Sequence, residues 1–257
     1  MKKILLSLCV ALCAACGSAY GWGRMGHDAV AHIAECNLTP RAKKNLERCL
    51  DGRSIVYYAS WMDEIRHEPA YRHTSAWHGA DVDAACRYVP REKGDAVAFV
   101  ETLVEQLRNR RSLDDSTVVV AIRFLVHTVA DMHCPVHVKY PWYRNFEFRL
   151  QERRYEFHAF WDTPALELCH AWGYADYRDQ LDRSTRRERE RIAAGTPREW
   201  LEETARDCRT IHEWVEPGAQ LGKTQSRDLL NRVRPLAEQQ IVRAGYRLAR
   251  ILNELFG

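Results

Sequence analysis

The sequence predicts a mainly α-helical protein, with one multi-helix domain over residues 22–257 that carries one small β-hairpin. Apolar residues recur every three or four positions through most of this range, which is the period of an amphipathic helix. Thr39-Pro40 and Thr196-Pro197 each place a capping Thr before a Pro, a combination typical of a helix start. Because the range has no internal repeat and no Gly/Ser linker, we expect a single domain.

The helical segments follow from this periodicity and its start and stop signals. The segment after Ser116, its expected cap, is nearly all apolar, which predicts a central, buried helix that ends before Pro135. Pro235 marks a candidate bend in the last helix. The expected segments cover residues 29–34, 40–50, 54–66, 95–110, 116–132, 196–215 and 226–255.

The segment from Asn145 to Phe157 departs from helical spacing. Apolar and polar residues alternate on both sides of a Gln-Glu-Arg-Arg stretch, which predicts two strands joined by a polar turn. We therefore expect a β-hairpin here.

The composition narrows the class of protein. The 257 residues are 46% hydrophobic and 28% charged, which is ordinary for a globular protein. A net charge of +3 excludes a polybasic protein that binds nucleic acid by charge alone. An enzyme that holds nucleic acid locally remains compatible with this balance.

The first 21 residues have the pattern of a secretory signal peptide. Lys2 and Lys3 precede an apolar run over residues 4–15, and small residues stand before Trp22. We expect cleavage between Gly21 and Trp22, and a secreted or periplasmic protein without stable membrane association. A lipoprotein anchored at Cys16 is the alternative.

Cysteine usage fits an exported protein. Beyond the leader the chain keeps an even set, which predicts disulfide bonds in an oxidising compartment. Six cysteines allow 15 pairings, and the sequence does not choose among them. The set is Cys36, Cys49, Cys86, Cys134, Cys169 and Cys208.

Two His-x-x-x-Asp pairs predict a metal centre. His127 and Asp131 share one face of the apolar helix, and His158 and Asp162 repeat the spacing. A carboxylate in apolar surroundings is costly unless it is paired or binds a cation. One pair alone would favour a core histidine beside a helical ion pair. Two pairs, together with His137, His78 and Asp63, favour zinc, which imidazole and carboxylate suit.

The expected mature N-terminus adds two candidate ligands. Cleavage before Trp22 frees an α-amine with a pKa near 8, which can deprotonate and bind a metal ion together with the Trp22 carbonyl. His27, about one helical turn farther on, is placed to complete this site.

In several segments the chain resembles the zinc-dependent single-strand nucleases and 3′-nucleotidases. These are the type I nucleases of fungi and plants and their bacterial and protozoan relatives. The resemblance runs from Trp22 to Phe256. Each matching segment alone would be a weak signal, but their combination is specific to this family. It rests on WGRMGHDAVAHIAE, ASWMDEIR, the Trp77-His78 pair, FLVHTVADMHCPVHV, FHAFWDT and QQIVRAGYRLARILNELF.

The resemblance implies three zinc ions and the fold shared by this family and zinc phospholipase C. The first zinc would take Asp63, His78, His127 and Asp131. The second would take His137, His158 and Asp162. The third would take Trp22, His27 and the bridging Asp131.

The implied activity is hydrolysis of single-stranded DNA and RNA to 5′-phosphate products, together with 3′-nucleotidase activity. Zincs bridged by Asp131 would activate the attacking water, and the remaining zinc would stabilise the leaving 3′-oxygen. Arg66 matches the family arginine near the phosphate, although an ion pair with Glu64 or Glu68 is the alternative.

Substrate recognition is where the sequence departs from the family. Asp81 matches the residue that hydrogen-bonds a base, but Gly79 stands where relatives usually carry a bulky or aromatic residue. Asn145 is the residual match to a Gly-Gly-Asn loop. Base stacking is therefore expected to be weak or supplied elsewhere.

Two other functions remain open. A zinc phospholipase C would share the terminal Trp and the helical three-zinc fold, although ASWMDEIR, Asp81 and the C-terminal segment favour a nuclease. A non-catalytic zinc or nucleotide binder is the other alternative. We expect the protein to act as a monomer on single-stranded nucleic acid and 3′-nucleotides.

Overall fold

A computed structural model describes residues 22–257. The expected leader, its cleavage after Gly21 and the alternative anchor Cys16 lie outside the described residues.

The described chain is mainly helical, as the sequence predicts. A long C-terminal helix packs along the first helix and the central one, and the short helices surround this core. The helices are α1 (Arg24–Cys36), α2 (Pro40–Cys49), α3 (Trp61–Ile65), α4 (Ala96–Arg108), α5 (Asp115–Asp131), α6 (Phe157–Asp162), α7 (Pro164–Cys169), α8 (Tyr174–Leu181), α9 (Arg186–Ala193), α10 (Pro197–Cys208) and α11 (Lys223–Phe256).

Two small three-stranded sheets complete the fold. In the first, β1 (Ala80–Val82) lies between β2 (Tyr88–Val89), which is antiparallel, and β3 (Val138–Lys139), which is parallel. In the second, β4 (Glu147–Leu150) pairs antiparallel with β5 (Arg153–Glu156) and parallel with β6 (Gln220–Leu221). The β4–β5 pair confirms the predicted hairpin. The other strands have two or three residues, too few for a period of two to show.

The central helix α5 is buried along its second half, as its apolar sequence predicts. Its cap is Asp114, two residues before the expected Ser116, and the Asp114 Oδ1 accepts the Thr117 N–H at 2.9 Å. Ser116 itself donates its hydroxyl to Asp114.

Two predicted helices are shorter than expected. Residues 54–66 form a 3₁₀ turn (Ile55–Tyr58) and then α3, since Ser60 has φ −99° and ψ 6° and interrupts the helix. Helix α10 ends at Cys208 rather than near residue 215, and a 3₁₀ turn over Ile211–Glu213 follows it.

Helices α1 and α11 approach each other closely at one glycine. A Cβ on Gly245 would stand 2.5 Å from the Ile33 Cγ2, so a larger residue would force the two helices apart. This contact holds the helix that begins beside Trp22 against the C-terminal helix. Within residues 22–257 the structure has no helix long and apolar enough to cross a membrane.

The predicted disulfides are not confirmed. All six cysteines of the described chain are free thiols. Several contact other groups instead: the Cys86 Sγ lies 3.6 Å from the Ala205 carbonyl oxygen, and the Cys169 Sγ lies 3.7 Å from the Leu230 carbonyl oxygen.

Candidate metal centre and substrate cleft

The predicted ligands converge from distant parts of the chain onto one buried cluster. Helix α5 and the turn after it supply three of them, and the others come from α1, α3, α6, the turn before β1 and the segment before α1. The cluster comprises His27, Asp63, His78, His127, Asp131, His137, His158 and Asp162, with Trp22 buried beside it at the start of the described chain.

The first predicted group is closely assembled. The Asp131 Oδ2 lies 2.7 Å from the His78 Nδ1 and 3.1 Å from the His127 Nε2. The Asp63 Oδ1 lies 3.8 Å from that His127 nitrogen and 3.9 Å from the His78 Nδ1. Two carboxylates and two imidazoles within these distances form a donor set typical of zinc.

The second group lies beside the first. The His158 Nε2 is 3.5 Å from the Asp162 Oδ2, which preserves the predicted helical pairing. The His137 Nε2 lies 4.0 Å from the Asp162 Oδ1, and the His137 Nδ1 lies 3.6 Å from the Asp131 Oδ1. His137 therefore lies between the two groups.

His27 reaches the same bridging carboxylate from α1. Its Nε2 lies 3.4 Å from the Asp131 Oδ1, and its ring stacks on His127 with centroids 3.9 Å apart. Trp22 is fully buried, and the next residue, Gly23, donates its N–H to the Asp162 carbonyl oxygen. The start of the described chain is thus tied to a residue of the second group.

Backbone contacts orient two of the imidazoles. The His127 Nδ1 donates to the Ala59 carbonyl oxygen at 2.8 Å, and the His137 Nδ1 donates to the His78 carbonyl oxygen at 2.5 Å. In each ring the proton is then on Nδ1, so the Nε2 lone pair can bind a cation.

Several buried ligand atoms have no hydrogen-bond partner in the described residues. Unpaired buried carboxylate oxygens are costly, and a cation would satisfy them. These atoms fit zinc in both chemistry and position. They are the His27 ring nitrogens, the His78 Nε2 and one oxygen each of Asp63, Asp131 and Asp162.

Titration of Asp162, His27 and His137 supports the same conclusion. Burial and the Asp131 carboxylate raise the pKa of Asp162 well above its usual range, so this side chain needs a cation to stay charged. Burial, reinforced by the charge on His127, lowers the pKa of His27, and burial lowers the pKa of His137 to about 4. Both imidazoles are therefore neutral near pH 7, the state in which they bind metal.

A cleft of about 430 Å³ opens onto the second group. Arg66, 9% exposed, lines it and lies 3.8 Å from the Asp63 Oδ1, which places its guanidinium beside the candidate metal cluster. Asn145 also lines it, and its side-chain oxygen accepts the His158 N–H at 3.0 Å. Asp81 pairs with Arg91, and of these two it is Arg91 that lines the cleft.

Sequence reasoning missed two other residues of this cleft. The Tyr143 hydroxyl lies 2.6 Å from the His158 Nδ1, and the Lys139 Nζ lies 3.3 Å from the same nitrogen. Burial lowers the pKa of Lys139 to about 8. Lys139 stands two residues after His137, a spacing that offered a weak signal, whereas Tyr143 depends on the hairpin's position.

Comparison with known proteins agrees with this geometry. The sequence model of a family described as S1/P1 Nuclease matches residues 22–257. The chain belongs to the S1/P1 nuclease family.

Individual relatives of this nuclease are distant but extend over its length. Endonuclease 2 of Arabidopsis thaliana is 23% identical, over 100% of this chain and 98% of its own. Endonuclease 3 of the same plant is 26% identical, over 91% of this chain and 89% of its own. Nuclease P1 of Penicillium citrinum is 29% identical over 45% of this chain and 47% of its own. As a nuclease, the protein is a hydrolase that acts on nucleic acid.

Proposed function

We propose that this nuclease is an exported, zinc-dependent phosphodiesterase that hydrolyses single-stranded DNA and RNA to 5′-phosphate products and also acts as a 3′-nucleotidase. One observation carries the proposal: Asp131 faces His78 and His127 with one oxygen and His27 with the other, beside the His137, His158 and Asp162 group. A carboxylate in this position can bridge two cations. The arrangement supports three zinc ions, the third completed by the Trp22 amine.

The zinc ions would supply Lewis acidity that activates water and stabilises the departing 3′-oxygen. Side chains of the protein would hold the substrate beside these ions. Arg66 has the planar fork that matches phosphate oxygens, and its burial beside Asp63 fixes it on the cluster's side of the cleft. We assign Arg66 to the scissile phosphate and Asp131 to the bridging position.

Three residues contact His158. Asn145 accepts its backbone N–H, and Tyr143 and Lys139 contact its Nδ1. Its Nε2 then faces Asp162, the direction in which a metal ligand must point. We assign Asn145 and Tyr143 to positioning this imidazole.

We further propose that residues 1–21 direct export and that cleavage after Gly21 produces the active domain, residues 22–257. Family membership favours the nuclease over a zinc phospholipase C of similar fold. Every ligand position that the resemblance implies carries the expected residue type, which favours a catalytic protein over a non-catalytic binder.

A substrate panel tests the proposal. Mature protein with zinc is assayed on single-stranded DNA, single-stranded RNA, duplex DNA, 3′-AMP and phosphatidylcholine, with Asp131→Asn as the inactive control. We expect turnover of the single strands and 3′-AMP, and products that carry 5′-phosphate. Turnover of phosphatidylcholine alone would replace the proposal with the phospholipase, and zinc binding without turnover would leave only a binder.

A further inference from the structure

The Asp81–Arg91 pair changes what the cleft presents to a substrate. The Arg91 Nη2 donates to the Asp81 Oδ1, and Arg91 is among the residues that line the cleft, whereas Asp81 is not among the described residues that do so. A ligand that enters the cleft can therefore contact the guanidinium, whereas the carboxylate lies outside the lining.

Arg91 is held in place by the backbone. Its Nη1 donates to the Ala76 carbonyl oxygen at 3.3 Å and to the Gly79 carbonyl oxygen at 3.2 Å. Together with the bond to Asp81, these contacts use three of the five N–H groups of a guanidinium. An arginine that is already ordered loses less side-chain entropy when it binds a ligand.

The described lining of the cleft provides little aromatic surface on which a base could stack. A Cβ on Gly79 would lie 2.7 Å from the His137 carbonyl oxygen, because β1 and β3 are paired at this point, so no aromatic residue fits there. The ring of Tyr143 carries the Lys139 ammonium 3.7 Å from its centroid and the edge-on ring of His212 at 5.1 Å. The ammonium thus occupies a ring face on which a base would stack.

The charges of the lining favour an anion. Arg66, Arg91 and Lys139 line the cleft, and the described lining includes no carboxylate. Arg66 lies against the metal ligand Asp63 and Lys139 against the metal ligand His158. The contacts that the structure gives for the Arg91 guanidinium are to Asp81 and two backbone carbonyls, so its charge lies outside the candidate ligand cluster.

We propose that Arg91 forms a second phosphate-binding position next to the scissile one, and that it binds the 5′-phosphate of the nucleoside whose 3′ bond is cleaved. The preferred substrate class is then a nucleotide with two phosphates, either an oligonucleotide or a nucleoside 3′,5′-bisphosphate, over a nucleoside 3′-monophosphate, which remains a substrate. This rests on the proposed function, because it uses the same cleft. Recognition at Arg91 is by charge, so it depends little on the base.

The experiment compares adenosine 3′,5′-bisphosphate with adenosine 3′-monophosphate as substrates of the zinc-loaded protein. The measurement is kcat/KM for release of the 3′-phosphate. We expect a preference for the bisphosphate of at least about tenfold, the low end for one charge-assisted hydrogen bond. In Arg91→Gln the preference should fall to near one, while turnover of the monophosphate stays within a few-fold.

Arg87→Gln is the matched control. Arg87 belongs to the turn that joins β1 to β2, pairs with Asp83 at 2.9 Å, is largely exposed and is not among the described residues that line the cleft. Its removal takes away the same charge from the same hairpin, so the preference should not change. An equal fall in both variants would show general electrostatic attraction and overturn a specific position at Arg91.

Asp81→Asn should change the preference for the bisphosphate in the opposite direction. It also covers the case in which Arg91→Gln fails to fold. If Arg91 binds phosphate, removing the competing carboxylate should strengthen the preference for the bisphosphate. If Asp81 binds the base instead, the same variant should lose activity on the monophosphate, and our inference is wrong. Equal kcat/KM on both substrates in the parent protein would overturn only this inference, whereas failure to hydrolyse either would overturn the proposed function.

Discussion

The Asp131 Oδ1 lies 3.4 Å from the Nε2 of His27, a residue more than one hundred positions earlier in the chain. Helix α1 and the C-terminal end of α5 thus meet at a single carboxylate, which is fully buried. Although burial opposes its charged form, the imidazoles of His127 and His137 hold the pKa of Asp131 well below its usual range. We therefore expect the proposed metal centre to depend on this charged carboxylate, whose two oxygens face different imidazoles.

Asp131→Asn should nearly abolish turnover, with a loss of at least about a hundredfold, because an amide cannot bridge two cations as a carboxylate does. Zinc content should fall with it. The measurements are single-strand nuclease rates and elemental analysis of the purified variant.

His133→Gln is the comparison for this variant, since His133 is equally buried and two residues away. Its Nδ1 donates to the Val129 carbonyl oxygen and its Nε2 accepts from the Arg247 Nη1 at 2.8 Å, so it joins α5 to α11 and not to the cluster. We expect zinc content and turnover within a few-fold of the parent, with a stability loss of about 1 kcal/mol. If both variants lost zinc alike, the assignment of the helix faces would be incorrect.

Metal removal should affect activity and stability together. In the proposed metal centre, bound cations would satisfy the unpaired buried oxygens of Asp63, Asp131 and Asp162, so chelation should abolish turnover and lower Tm in parallel. Elemental analysis of the exported protein should find close to three zinc ions per chain. A value near one would contradict the three-zinc proposal, even if the nuclease activity remained.

The free α-amine of Trp22 should be needed for full activity. A form made in the cytoplasm with Met retained before Trp22 has an amide where the exported form has an amine, and an amide nitrogen offers no comparable lone pair. Trp22 is fully buried, and Gly23 bonds to Asp162, so extra backbone would also crowd the cluster. We expect this form to fold but to work poorly.

Mass spectrometry would first establish the N-terminus of each sample, and phosphodiesterase rates would then be compared at equal zinc. Equal rates would remove Trp22 from the site and favour an uncleaved leader or a lipid anchor at Cys16.

Gly79→Ala should destabilise the protein, although Ala is normally the better residue in regular structure. Its Cβ would stand 2.7 Å from the His137 carbonyl oxygen, so β1 and β3 must separate, at a cost of about 1–3 kcal/mol. Because the two strands follow the ligands His78 and His137, activity should fall as well. Gly173→Ala is the control, as its Cβ would have an ordinary contact at 3.6 Å from Asp176. Thermal unfolding and nuclease rates of the two variants check this.

The acid stability of the protein should depend on His212. Burial, together with the charges of Lys139 and Arg144, lowers the pKa of His212 to about 4, from 6.5 in the unfolded chain. Between these values the unfolded state binds more protons than the folded one, so stability falls as the pH drops from about 6.5 to about 4. Above about pH 6.5 the ring is neutral in both states, so His212 does not change the free energy of unfolding with pH.

His212→Phe keeps a ring against Phe157, whose centroid lies 4.7 Å away, and removes the titrating group. Its Tm should therefore decline less than that of the parent between pH 6.5 and 4. A parallel decline in both proteins would assign acid sensitivity to other groups.

The sequence by itself determined the helical class, the start of α2 and α10, the hairpin and the ligand spacings, because each depends on residues at most a few positions apart. His127 with Asp131 and His158 with Asp162 are helical neighbours wherever the helix lies. The family resemblance extended these pairs to ligands from other segments, and the structure places those that it describes in one cluster.

Tertiary structure alone decided what surrounds those ligands. No local pattern brings Arg91 onto Asp81, Tyr143 onto His158 or the Gly79 backbone against His137, since each contact joins separate segments that meet only when β1, β3 and the hairpin assemble. The segment over residues 54–66 is shorter in helix than its composition predicts, because Ser60 takes a non-helical conformation at the turn that presents Asp63. The predicted metal ligands are thus encoded by residue type and short spacing, whereas the lining of the cleft is encoded by packing between distant elements.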